Sequence, residues 1–295
     1  DEVGEAAAGR LFLRGTQMSQ LGSLVGTFVS VGLASVSLNL PIVLGGALII
    51  GLALFLALLM PERGFTPTPQ PDRNSFQKMG ATFAAGARVV WGSALLLTIL
   101  AVIVFRGAAS EAYDRLWQPF FLDNLAFPAL GGLDTIVWFG IITAIAKLLT
   151  IGVTAFLERR VDTASPRGAG RAIFLLNAIQ LVAVVALGLA TSFGVAVVAY
   201  FVTAVCRTTI QPILTAWINQ HLTPSTRATV LSMTSQTDAL GQIGGGPILG
   251  WVGNTFSIRA AITTSGVLLA PALLLLARTL RRPGEAQAGT AATEE

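Results

Sequence analysis

The densest chemistry in the chain lies between Arg106 and Trp117, where Arg106, Ser110, Glu111, Tyr113, Asp114, Arg115 and Trp117 interrupt an otherwise lipid-like stretch. On a helix turning about 100° per residue, Tyr113, Trp117, Ser110 and Asp114 all fall within about 80° of Arg106. Gln118, Glu111 and Arg115 continue round to about 180°, so one half of the helix is polar, aromatic and charged. Such a face could form the wall of a small-molecule cavity: aromatic surface supplies contact area and a few charges orient the ligand. The same spacing also fits a helix emerging into water, with Glu111 and Arg115 paired at i, i+4.

Three more ionisable groups sit inside apolar runs: Lys147, Arg207 and Asp238. A charge within a membrane span is expensive and usually faces a cavity or a partner, so each is a candidate functional residue. Lys147 falls near the middle of its run, where it either serves a cavity or reaches a local partner. Arg207 and Asp238 flank the turn near Thr223 at nearly equal distances, which places them at equal depth and predicts that they pair. The pair is either a permanent tie between two helices or a switch loosened when Asp238 takes a proton. Cys206 reads as packing, and His221 as a helix-end or loop residue. One cysteine and one histidine leave no intrachain disulfide and no His-rich metal cage. The motifs His-Glu-x-x-His and Gly-x-Ser-x-Gly are absent, so no catalytic residue, metal site or cofactor is expected.

The elements that carry these groups follow from composition. Of 295 residues, 53% are hydrophobic and only 12% charged, with a mean hydropathy of +0.72. Soluble domains carry about a quarter charged residues, so the bilayer is the natural solvent for this chain. A net charge of +4 does not point to nucleic acid, because the basic residues sit in short clusters between apolar runs.

Crossing a bilayer takes roughly 20 apolar residues. Eight runs qualify, approximately 16–37, 40–60, 89–120, 133–157, 172–191, 193–217, 228–252 and 258–279. An even number places both termini on one side. The loops on that side hold nearly all the loop arginines and lysines, among them Arg10, Arg63, Arg88, Arg159, Arg227 and Arg281, and the opposite loops only Arg259 at an edge. Both termini are therefore expected to be cytoplasmic, with the protein multi-pass in the cell membrane.

Residues 61–88 read as a cytoplasmic linker. Its Pro- and Thr-rich start leads into Phe76, Met79 and Phe83, spaced for a helix lying on the membrane surface or leading into the next span. It separates two spans, in 1–60, from six, in 89–282. Residues 283–295, rich in Ala, Gly, Thr and Glu, read as a disordered cytoplasmic tail.

An internal repeat links the two sides of the linker. Thr16-Gln17 through Leu21-Gly22 to Gly26 aligns without a gap on Ser235-Gln236 through Leu240-Gly241 to Gly245, both reading hydroxyl-Gln-x-x-x-Leu-Gly-x-x-x-Gly. Glycines four apart allow close helix approach. Parallel repeats of helices facing each other across a central site are a transporter pattern.

With the Leu59-Met60-Pro61-Glu62-Arg63-Gly64-Phe65 segment and Arg227-Ala228-Thr229-Val230-Leu231-Ser232, this repeat resembles the major facilitator superfamily of transporters, in its drug-efflux-like branch. Gly241-x-x-x-Gly245-Gly246-Pro247-x-x-Gly250 is similar to the Gly-Pro motif of family antiporters, which usually occupies the fifth helix. In the run that should be that fifth helix, Gly22 and Gly26 remain and Thr27 stands at the proline position. Gly152 followed by Glu158-Arg159-Arg160 is a degenerate match to the family's basic loop.

The resemblance implies an all-α polytopic bundle of eight transmembrane helices, helices five to twelve of a twelve-helix fold lacking the first four. Sequence upstream of Asp1 is expected, and the chain alone is expected not to transport. By the same resemblance, 106–117 lies on helix seven, which lines the central path. The implied function is secondary active transport of a small molecule by alternating access, as proton-coupled export of a drug-like compound. The partners are that substrate, protons and membrane lipids, with no nucleic acid. A membrane scaffold, receptor or membrane enzyme is the alternative.

Overall fold

The structure is a computed structural model that describes residues 22–59, 75–128, 134–160, 166–220, 222 and 224–281. All regular structure among the described residues is α-helical: α1 (Gly22–Ala34), α2 (Leu40–Leu59), α3 (Ser75–Trp91), α4 (Ala94–Asn124), α5 (Thr135–Arg160), α6 (Pro166–Leu189), α7 (Phe193–Asn219), α8 (Pro224–Thr255), α9 (Ile258–Val267) and α10 (Leu269–Arg281). The expected tail at 283–295 and the start of the linker at 61–74 lie outside the described residues, as do Gln17 and His221.

The chain divides into two compact units, one formed by 1–73 with 129–147, the other by 74–128 with 148–295. In the first, α2 has no buried residue, and Ile42 and Leu58 are among its most exposed side chains. An apolar helix exposed all round suits lipid and not water. The start of α5 packs on α1, where a methyl added to Gly140 would overlap Val31.

The second unit is built around α4. Its core joins Leu96, Ile99 and Val102 of α4 to Ile173 of α6, Ile210 and Trp217 of α7, Val230 of α8 and Leu276 of α10. The closest approach is α4 on α8. A methyl group on Gly107 would overlap the backbone of Asp238, one on Gly241 the backbone of Val104, and one on Gly245 the backbone of Ala108 at 2.5 Å. The glycine stripe thus acts as a backbone-to-backbone seam. Gly246 lies over the Glu111 carboxylate, whereas methyls at Gly250, Gly22 and Gly26 would meet nothing within 4 Å among the described residues.

Several expected boundaries shift for local reasons. The run 89–120 is broken at Gly92-Ser93: Val90, one residue before the end of α3, lies in the core, and Ser93 caps α4 by accepting a hydrogen bond from the Leu96 amide at 3.3 Å. Gly86 seats α3 on Thr229 and Met233 of α8. The last run bends at Leu268, between α9 and α10. Pro271 lacks the amide hydrogen that would bond back to Val267, so the helix cannot continue unbroken there.

Six described helices are long and apolar enough to cross a membrane: Leu40–Leu59, Ala94–Asn124, Thr135–Phe156, Arg167–Leu189, Phe193–Asn219 and Ile258–Arg281. The described part of α1 is shorter than a full span. α8, at 32 residues, is long enough but carries a polar face. Leu240, Ile243, Ile248 and Trp251 nevertheless form an exposed apolar stripe at helical spacing along its other side.

Candidate functional site

A polar cavity of about 370 Å³ opens in the second unit where α4, α6, α7 and α8 meet. Its charged lining is Arg106 from α4, Arg207 from α7 and Asp238 from α8. Hydroxyls and amides fill most of the remaining wall: Ser110, Gln180, Thr208, Gln211, Thr215, Thr234 and Ser235, with Ile103, Leu214 and Ile218 at the apolar edge. A larger depression of about 660 Å³ runs along α6 and α7, but Ile179, Val182, Val195, Val198 and their neighbours offer no polar group to orient a solute. The polar cavity is the candidate site.

Arg106 enters the cavity with its Nη1 donating to Asn177 Oδ1 at 2.5 Å and to Gln180 Oε1 at 3.4 Å. Asn177 is fully buried, and its Nδ2 donates to the Ile173 carbonyl at 2.8 Å, which holds its oxygen toward the arginine. Neither α6 amide was singled out from the sequence. They are the only polar side chains between Ile173 and Leu189, and their i, i+3 spacing puts them on one helix face, a signal open to inspection.

Arg207 is clamped by Asp114 of α4: both its Nη1 and its Nη2 donate to the carboxylate, the latter at 2.7 Å. This corrects the expected pairing of Arg207 with Asp238. Equal depth in the sequence says nothing about the direction a side chain takes around its helix, and Arg207 turns toward α4. Asp238 Oδ2 instead accepts from Gln242 Nε2 one turn along at 2.8 Å, and Asp238 makes no ion pair among the described residues.

The other residues of 106–117 divide between two faces of α4. Tyr113 stacks on Tyr200 of α7 with ring centroids 5.6 Å apart, and Trp117 meets the same ring at 4.4 Å. The Arg207 guanidinium lies 5.8 Å from the centre of the Tyr113 ring. Glu111 is turned away from this group toward Gly246 and accepts from Arg115 Nε at 2.6 Å. Arg106 and Ser110 line the cavity, while Glu111 and Arg115 form the i, i+4 pair on another face, with Glu111 buried and Arg115 exposed.

Lys147 belongs to the first unit. Its ammonium donates to Ser23 Oγ at 2.5 Å, to the Ser23 carbonyl at 2.9 Å and to Thr27 Oγ1 at 2.8 Å. The partner is local and neutral. Thr27, at the position where the antiporter motif would carry proline, therefore serves as a lysine acceptor.

The helical bundle is similar to solved transporters. A bacterial homologue of the human lysosomal transporter Spinster, in an inward-facing and unoccupied conformation, superposes with a TM-score of 0.56 at 17% identity, covering 90% of this chain and 67% of that one. FucP in the outward conformation matches with a TM-score of 0.51 at 16% identity, over 84% of this chain and 55% of that chain. The chain has the major facilitator fold. A second FucP structure, of the Escherichia coli fucose:proton symporter, matches equally well.

In sequence, the chain is 23% identical over 282 residues to an uncharacterized MFS-type transporter, YxaM, of Bacillus subtilis strain 168. It spans 66% of that relative's length and 55% of FucP. No family profile matches the chain. With the major facilitator fold and six helices of spanning length and composition, the chain is a multi-pass membrane protein.

Proposed function

We propose that the chain forms part of a secondary active transporter that moves a small solute across the cell membrane by alternating access, and that the α4–α6–α7–α8 cavity is a solute site. The observation that carries this is a polar, charged cavity formed by α8 with three helices of membrane-spanning length and composition, α4, α6 and α7, on a major facilitator fold. On this reading α1 and α8 are also spans, giving eight. The α8 stripe of Leu240, Ile243, Ile248 and Trp251 supports lipid contact on one side, while its glycines and Asp238 serve the other.

Asp238 is the coupling group proposed here. With no ion pair among the described residues, it can exchange a proton without breaking one, whereas Asp114 is tied to Arg207. The drug-like cargo and outward direction rest on family resemblance. The hydroxyl- and amide-rich lining favours a polar solute over an apolar drug.

The test is flux in proteoliposomes carrying the product of the complete gene, under an imposed pH gradient, with a panel of polar solutes and drug-like dyes. Gradient-dependent accumulation is expected for wild type, and loss of that flux with folding retained for Asp238→Asn. Wild-type gradient-driven rates in Asp238→Asn would remove Asp238 from coupling. A panel without any gradient-dependent flux would count against transport itself.

A further inference from the structure

One cation of the cavity, Arg106, makes no ion pair among the described residues, although the Asp238 carboxylate lines the same cavity. Arg207 is matched by Asp114, but the protein acceptors of Arg106 are the neutral oxygens of Asn177 and Gln180. Both amides engage Nη1. The Nε and Nη2 hydrogens of Arg106 have no protein acceptor among the described residues, and Arg106 lines the cavity.

A guanidinium stays charged at any accessible pH. In a low-dielectric enclosure, Asp238 offsets part of this charge from across the cavity without bonding it, and the free Nε and Nη2 donors of Arg106 suit an anionic partner, a bidentate one above all. Around it the wall offers hydroxyl and amide groups at Ser110, Thr208, Gln211, Thr234 and Ser235. The Asp238 carboxylate adds an acceptor suited to a solute hydroxyl and repels a second negative charge. A volume of about 370 Å³ is near the small end of ligand sites.

We propose, resting on the transport reading of this cavity, that its solute is a small hydroxylated monocarboxylate of the sugar-acid or hydroxy-acid class. The carboxylate sits on the Arg106 fork, and the hydroxyls donate to Asp238 and exchange hydrogen bonds with the threonine and glutamine wall. Asn177 is a positioning residue: it aims the fork through its own bond to the Ile173 carbonyl.

The experiment measures equilibrium binding and thermal midpoint of the purified full chain with D-gluconate, D-glucose and D-glucosamine, which share a six-carbon skeleton but differ in charge. D-glycerate and L-lactate serve as shorter anions. At least one of the three hydroxy acids is expected to bind and raise the midpoint, with glucose and glucosamine roughly 10- to 100-fold weaker, as for loss of a charged hydrogen bond.

Arg106→Gln should weaken the anion by a similar factor, and Arg106→Lys should keep the preference for anion over neutral sugar. Asn177→Asp hands Arg106 an internal carboxylate and should expel the anion while keeping the fold, so the test stands even if Arg106→Gln does not fold. Equal binding of glucose, preference for glucosamine, no binding of any of the three acids, or anion binding untouched by Asn177→Asp would each overturn the proposal. Gradient-driven flux of other solutes without acid binding would refute the substrate class alone. Acid binding without any flux would leave the site and refute transport.

Discussion

At the scale of single residues, the second unit spends its charges unequally. Asp114 and Arg207 satisfy one another in a two-pronged ion pair between α4 and α7, and side chains one-third to one-half exposed keep its worth modest. A double-mutant cycle of Asp114→Asn and Arg207→Gln, followed by thermal or denaturant unfolding in detergent, is expected to show a coupling of about 1 kcal/mol. The corresponding cycle between Asp238 and Arg207 should show much less, since the two do not pair. The reverse ranking would restore the pairing expected from depth alone. Lys147 shows another solution to a charge within a span, because three neutral oxygens on α1 take its three hydrogens.

Among the elements, the seam between α4 and α8 is where small residues matter most. Gly107, Gly241 and Gly245 touch the opposite backbone directly, so a side chain there must push two helices apart. Gly241→Val or Gly245→Val is expected to cost roughly 2 kcal/mol or more and to lower the thermal midpoint. Gly244→Ala and Gly250→Ala, where a methyl meets nothing within 4 Å, should change stability by less than about 0.5 kcal/mol. Equal losses at all four positions would show that contact across the seam does not set their importance. At the far end of the same helices, Arg259 ties three elements together. It donates to Asn124 Oδ1 at 2.9 Å and to the Ala190 carbonyl at 2.6 Å, and stands 5.2 Å from the centre of the Phe120 ring. The lone arginine expected at the edge of the opposite loops is thus a clasp on the ends of α4 and α6.

For the whole molecule, the loop charges make a prediction about orientation. Basic residues gather in the loops shared with the two termini, so both should face the cytoplasm. In a Cys206→Ser background, single cysteines at Ala7 and Ala288 are expected to resist an impermeant thiol reagent applied to intact cells and to react after permeabilisation. Labelling of either from outside would invert the topology or change the number of spans. The internal repeat bears on the same scale. Its two glycine pairs behave differently within their own units: Gly241 and Gly245 are packed against α4, whereas methyls at Gly22 and Gly26 would meet nothing among the described residues.

Length and hydropathy determined the helical membrane class of this protein, because crossing a bilayer imposes a local demand that each run of about 20 residues meets by itself. The glycine stripe and the i, i+4 pair of Glu111 and Arg115 were legible for the same reason: helical spacing along one segment states them. Only the tertiary structure decided that Arg207 meets Asp114, that Asn177 and Gln180 cradle Arg106, and that Lys147 binds Ser23 and Thr27. Those choices depend on how each helix is rotated about its axis against its neighbours. Rotation is set by packing summed over whole helix faces, such as the α4–α8 seam, and no single segment records it.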